Sequence, residues 1–137
     1  MIIMSVDLGL SRTGIAVSDE GEGFAFPKDV IYEKNESRLI EKICAAAKLY
    51  GARRIVVGLP KNMDGTLGER AVTCQSIANK LSKASGIETV LIDERLTTVS
   101  ANTFLNMNDV RGKKRKETVD AVAATLILED YLRSIKK

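Results

Sequence analysis

The sequence predicts an α/β fold: a five-stranded mixed sheet, spatial order 3-2-1-4-5, flanked by helices. Three observations carry this reading. Apolar strand patterns open the chain with only turns between them, and helical periodicity then alternates with short apolar runs, giving βββ-α-β-α-β-α-α. In that order the first strand is central, with an antiparallel hairpin on one side and parallel strands added by right-handed crossovers on the other. At 137 residues and 45% hydrophobic, the chain supports one compact core, so a single domain over residues 1–137 is expected.

Ile2–Leu8 and Gly14–Ser18 read as strands around a Gly/Ser/Arg turn, and Phe24–Ile31 as a third, interrupted near Pro27. Leu39, Ile40, Ile43, Cys44 and Ala47 recur at helical spacing until Gly51 breaks the pattern. Arg54–Gly58 carries Ile55-Val56-Val57, a β-branched run suited to a strand covered on both faces. The next helix runs from about Gly68 to Ser85, with Ala71, Cys74, Ala78 and Leu81 on one stripe. Thr89–Asp93 is another apolar strand, and Thr97 or Thr98 can cap a helix reaching Leu105. A polar, basic loop then spans about Asn106–Lys116, before a final helix over about Glu117–Ser134 that is rich in Ala and Leu.

Composition removes several classes of chemistry. With no His and no Trp, Ser-His-Asp triads, His general bases and imidazole-rich zinc sites are excluded. A metal would have to sit among oxygen ligands, which favours Mg²⁺, with Mn²⁺ as the alternative. Cys44 and Cys74 fall on apolar helical stripes and read as small buried hydrophobes. The Met1–Met4 start leads into a strand pattern, with neither a basic leader nor a spanning apolar stretch, so a cytoplasmic protein without membrane contact is expected. The charge of +3 fits a nucleic-acid partner without demanding one.

In sheets of this kind, ligands bind beyond the carboxyl ends of the parallel strands, where the winding changes direction. Asp7, Gly58 and Glu94 lie at that edge. Asp7 ends an apolar strand, where an unpaired buried carboxylate would be costly, so it is expected at the open edge. Gly9 and Gly14 remove side-chain bulk beside it, which suits either a hairpin or the approach of a phosphate or metal. In Leu91-Ile92-Asp93-Glu94-Arg95, strand alternation sends the two acids to opposite faces, so only one can join Asp7. Asp120 begins a stripe continued by Ala123, Ala124, Ile127 and Tyr131, which a solvated face does not explain. The alternative reading is that its expected position in the first helical turn simply suits a negative charge beside the helix dipole.

Strands one and five lie about two inter-strand spacings apart, or ~9.6 Å, so inward-leaning carboxylates could bracket one cation or a close pair. Like charges packed together raise one another's pKa until a cation binds. Lys61 and Asn62, in the loop Gly58-Leu59-Pro60-Lys61-Asn62-Met63-Asp64-Gly65-Thr66, could track a phosphate backbone, although the composition suits an ordinary βα loop as well. Arg95 could orient a carboxylate or meet a phosphate. Arg111 and the run Lys113-Lys114-Arg115-Lys116 precede Asp120, which points to nucleic acid beyond the solvated face that such runs usually make. With aromatics at 4%, a stacking platform for single strands is not expected.

Four blocks in order resemble the YqgF (RuvX) family: Asp7-Leu8-Gly9 with Arg12-Thr13-Gly14-Ile15-Ala16-Val17-Ser18-Asp19; Val57-Gly58-Leu59-Pro60 with Asn62-Met63-Asp64-Gly65-Thr66; Asp93-Glu94-Arg95-Leu96-Thr97-Thr98; and Asp120-Ala121-Val122-Ala123-Ala124. They span nearly the whole chain. The first block also occurs in actin-like ATPases and sugar kinases, but this chain is too short for their second half and repeats no Asp-x-Gly loop.

The resemblance implies an RNase H-like fold and a bacterial enzyme described as a Holliday junction resolvase and, more recently, as a nuclease maturing the 5′ end of pre-16S rRNA. It implies that Asp7, Glu94 and Asp120 form an acidic metal site, with Lys61, Asn62, Arg70, Arg95 and the basic segment near substrate. Where family members often have Glu-Gly-Pro-Arg, this chain has Leu67-Gly68-Glu69-Arg70, which leaves the local helix start open. The expected activity is Mg²⁺-dependent hydrolysis of phosphodiesters in structured nucleic acid, with ribosomal precursor RNA favoured and branched DNA the alternative. A non-catalytic nucleic-acid-binding protein is the reading from another class. Either a monomer or a homodimer fits, and symmetric cutting of a junction would favour the dimer.

Overall fold

Alternation along the first strand sets the layers. The computed structural model describes residues 1–9, 11–60, 68–93 and 112–135, the last segment with side chains from Val122 onward. Strand β1 (Ile3–Leu8) sends Met4, Val6 and Leu8 into one apolar cluster and Ile3 into another, so both of its faces are covered. Strands β2 (Arg12–Ser18) and β3 (Ala25–Tyr32) extend the sheet antiparallel on one side of β1. Strands β4 (Arg54–Leu59) and β5 (Glu88–Asp93) extend it in parallel on the other, giving the expected order β3-β2-β1-β4-β5.

Strand β2 starts at Arg12, ahead of the predicted Gly14, because Arg12 pairs with Tyr32. Near Pro27 the register shifts: Ile15 faces Asp29 and Ala16 faces Pro27, leaving Lys28 as an extra residue. Pro27 has no amide hydrogen to give to a ladder, and an edge strand with a bulge accommodates it.

Helices α1 (Glu36–Tyr50) and α2 (Glu69–Ser85) cover one face, burying Leu39, Ile43, Ala71, Cys74 and Leu81 against β1, β2 and β4. Asn35 caps α1 by accepting from the Arg38 amide at 3.0 Å, and Gly51 ends it in the left-handed region at φ 71°. Helix α2 begins at Glu69, one residue after Gly68, which provides no side-chain cap. The apolar stripes place both cysteines in this layer: Cys74 is buried in it, and burial pushes the half-buried Cys44 thiol up.

Helix α3 (Gly112–Ile135) covers the other face, packing Ala124, Ile127, Leu128 and Leu132 on Ile3, Ala16 and Val56. Two polar contacts fix its direction. The Ser5 hydroxyl donates to the Ala124 carbonyl at 2.6 Å, and Arg54, the β4 partner of Ile3, donates to the Tyr131 hydroxyl at 2.8 Å. Chain numbers therefore fall along α3 as they rise along β1. Arg54 also pairs with Glu88 at 2.6 Å; burial works against its charge, and Tyr131 and Glu88 more than offset that.

The start of α3 corrects the sequence reading. Lys113, Lys114, Arg115 and Lys116 are helical, where a loop through Lys116 was expected. Lys and Arg are good helix formers, and propensity prevails here over the unfavourable meeting of cations with a helix amino end. Asp120 then lies beyond the second turn of α3, so the expected help from the helix dipole does not apply. The predicted helix from Thr97 or Thr98 to Leu105 lies outside the described residues.

Candidate active site at the carboxyl edge of the sheet

Ile3 and Ser5 face α3, and Asp7 follows in the same alternation, half-buried. Its neighbours across the sheet are bare backbone. Gly14 stands opposite Asp7 on β2, and on β4 Gly58 follows Val57, the partner of Val6. Neither brings a side chain, so the carboxylate stands in a notch between two glycines.

The α3 backbone passes over this notch. Asp7 is two residues beyond Ser5, a rise of ~6.6 Å, and Asp120 is one turn before Ala124, a rise of ~6 Å in the matching direction. Since Ser5 bonds Ala124, the Asp120 position on the helix comes level with Asp7 on the strand. These are acids 113 positions apart in the chain (120 − 7).

Strand β5 fixes the direction of Asp93. Val90 and Ile92 pack into the α3 cluster, so Asp93 turns to the opposite face, exposed and away from Asp7. Glu94 lies outside the described residues, as do Lys61, Asn62, Arg95 and Arg111. Among the described residues, no three His, Cys, Asp or Glu gather closely enough to hold a metal ion.

Two further residues brace the strand end. A Cβ on Gly9 would overlap the carbonyl oxygen of Arg12, so the space that the sequence reading offered to a ligand is filled by the hairpin's own backbone. Arg70, in the first turn of α2, donates to the Leu8 carbonyl. Together with Leu8, Gly9, Lys34 and Thr73 it lines a cavity of about 170 Å³ toward α1 and α2, the face opposite Asp7. Arg70 thus reaches the same strand end as Asp7 without sharing its side of the sheet.

Sequence reasoning passed over Ser5. The signal was present: a polar residue two before Asp7 in an otherwise apolar strand faces the same way, and a buried hydroxyl needs a partner.

Similar proteins agree with this architecture. A protein of Bacillus cytotoxicus named "Putative pre-16S rRNA nuclease" is 42% identical over 137 residues, covering 98% of this chain and 99% of its own. One of the same name from Bacillus mycoides is 41% identical with the same coverage. Among solved structures, Thermus thermophilus RuvC in complex with Holliday junction substrate superposes with a TM-score of 0.64 at 12% identity, covering 99% of this chain and 97% of that one. The Fowlpox virus resolvase in complex with Holliday junction DNA gives 0.61 at 13% identity, over 100% of both chains. At such identities the structural likeness bears on fold, which is that of the RuvC-like, RNase H-type resolvases. A family model described as "RuvX: Holliday junction resolvase" matches residues 1–134, and with relatives this similar along their full length the chain belongs to the RuvX family.

Proposed function

We propose that this chain, a nuclease of the RuvX family, is a single-domain endonuclease over residues 1–137 that hydrolyses phosphodiesters in structured nucleic acid. Its favoured substrate is pre-16S rRNA, which its relatives' name contains, and the proposed cut is at the 5′ end. In this reading Asp7, Glu94 and Asp120 form the acidic centre. The observation that carries it is the Ser5–Ala124 bond, which brings the backbone position of Asp120 level with Asp7 beside the glycine notch. The β5 register supports Glu94 over Asp93 as the third acid, because Asp93 turns away from α3.

The donor set suits a hard divalent cation: carboxylate oxygens in a chain without histidine, with Asp7 half-buried where two glycines leave room. Mg²⁺ is the proposed ion, with Mn²⁺ the alternative, held by Asp7, Glu94 and Asp120. When bound, such an ion supplies an activated water and a counter-charge for the leaving oxygen. The protein holds its carboxylates apart on a strand and a helix, so that substrate can approach from the open edge. Lys61, Asn62, Arg95, Arg111 and the cations Lys113, Lys114, Arg115 and Lys116 are proposed to contact the phosphate backbone, and Arg70 to hold the end of β1 where those contacts converge.

Among the described residues no helix is long and apolar enough to cross a membrane, and a cytoplasmic location is proposed with the function. The test is cleavage of pre-16S rRNA and of a four-way DNA junction, side by side, by wild type and Asp120→Asn. Mg²⁺-dependent cutting of the RNA by wild type alone supports the proposal. Cutting of only the junction would reassign the substrate, and equal cutting by the variant would remove Asp120 from the centre.

A further inference from the structure

On the face that carries Asp7, the next row toward the carboxyl edge is Arg12 and Tyr32. The register fixes this: Asp7 stands opposite Gly14, and Arg12 opposite Tyr32. Between those rows, Thr13 is buried, and Ile31 packs into the layer beneath α1 and α2, so Arg12 and Tyr32 turn toward the α3 side. Arg12 is the diagonal neighbour of Asp7, about 7–8 Å away between Cα atoms and within reach of a long side chain. Tyr32 lies one strand further out and is 49% exposed.

The hollow around this row is open, with polar and charged residues among its lining. Ser11, Arg12, Tyr32, Glu33 and Lys34 line about 450 Å³ of it. The Glu33 amide donates to the Ser11 carbonyl at 3.2 Å and holds the end of β3 against the hairpin. The acid in the lining is turned aside: the Glu33 carboxylate pairs with Lys42 at 3.0 Å and accepts from the Asn35 amide at 3.1 Å. These contacts hold its carboxyl below the usual range, Lys42 acting most strongly. The Glu33 carboxylate is therefore engaged with α1 and its cap, while Arg12 and Lys34 line the same hollow.

We propose that Arg12, Tyr32 and Lys34 form a binding strip for one unpaired nucleotide, which leads a strand of nucleic acid into the notch at Asp7. Tyr32 stacks on the base, and Arg12 and Lys34 hold the phosphates beside the one to be cut. The scarcity of aromatics rules out an extended stacking platform, but a single ring placed beside the reacting carboxylate can select one base. The strip deepens the nuclease reading and rests on it. It implies that cleavage occurs next to a position where the strand is unpaired.

The test separates the two claims. A short precursor-rRNA fragment carrying 2-aminopurine at an unpaired position is titrated, without metal, with wild type, Tyr32→Phe, Tyr32→Ala and Arg12→Gln. Tyr32→Ala is expected to bind about tenfold more weakly and to lose the quenching of 2-aminopurine, while Tyr32→Phe keeps both. Arg12→Gln is expected to make the log–log salt dependence shallower by about 0.7, the value for one phosphate contact on a single strand. Wild-type binding and quenching that persist in Tyr32→Ala would overturn the strip and leave the nuclease reading standing. A wild type that binds neither this RNA nor a four-way DNA junction would overturn both.

Discussion

Ser5 and Ala124 are 119 positions apart in the chain and are joined by a 2.6 Å hydrogen bond from the Ser5 hydroxyl to the Ala124 carbonyl. This contact sets how far α3 slides along β1, and so how the proposed acids on those elements meet. Ser5→Ala should cost about 1 kcal/mol of stability. It should also lower kcat at temperatures where wild type and variant are both fully folded. Urea unfolding paired with cleavage rates checks this, and an unchanged kcat would show that the bond only adds stability.

Asp7→Asn should reduce Mg²⁺-dependent cleavage at least about a thousandfold, since a ligand to the cation is lost where charge develops. Unfolding should remain cooperative. Added Mg²⁺ should raise the melting temperature of wild type and not that of the variant, by binding linkage. Glu94→Gln and Asp120→Asn are expected to behave alike, and a variant that keeps the Mg²⁺ shift identifies an acid outside the cation site.

Gly9→Ala forces a Cβ onto the Arg12 carbonyl, so the β1–β2 hairpin must open. A loss of about 1–3 kcal/mol is expected, with reduced cleavage. Gly51→Ala is the control. Gly51 has φ 71° and open space around it, so it should lose about 1 kcal/mol through backbone conformation while cleaving normally.

Replacing Lys113, Lys114, Arg115 and Lys116 together by Gln should move stability and affinity in opposite directions. Removing cations from the first turns of α3 relieves their repulsion with the helix dipole, so the melting temperature should rise. Affinity for RNA should fall and its salt dependence flatten. An unchanged salt slope would show that these charges face only solvent.

Asp19 closes the β2–β3 connection by accepting from the amides of Gly23 at 2.8 Å and Phe24 at 2.9 Å. The Phe24 amide is the main reason that its carboxyl sits below the ordinary 3.8. Its stabilising effect is therefore complete above pH 3.8 and disappears as the pH falls through the lower folded value. Asp19→Asn should flatten that part of the acid-unfolding profile, as a urea series carried down through this range would show.

The sheet was legible in the sequence because each strand carried its own local signal. The β-branched run Ile55-Val56-Val57 marked a strand covered on both faces, and Pro27 marked the bulge at Lys28. The start of α3 was less legible. A dense cationic run reads as loop, while its backbone preference is helical, and the residue types alone do not say which prevails. For the proposed acidic centre, alternation narrowed Asp93 and Glu94 to one, the family resemblance pointed to Glu94, and the packing of Val90 and Ile92 beneath α3 shows only that Asp93 faces the other way. Ser5 was illegible for a related reason: its partner is a main-chain carbonyl, which no residue type announces.

Because α3 both closes one side of the sheet and sets the backbone position of Asp120 level with Asp7, burial of its apolar stripe and completion of the proposed cutting centre are a single event. A chain still being synthesised, with β1 to β5 emerged and α3 not yet free of the ribosome, would hold Asp7 without its helical counterpart. Such a nascent nuclease would be inert beside the very particle whose RNA it is proposed to trim.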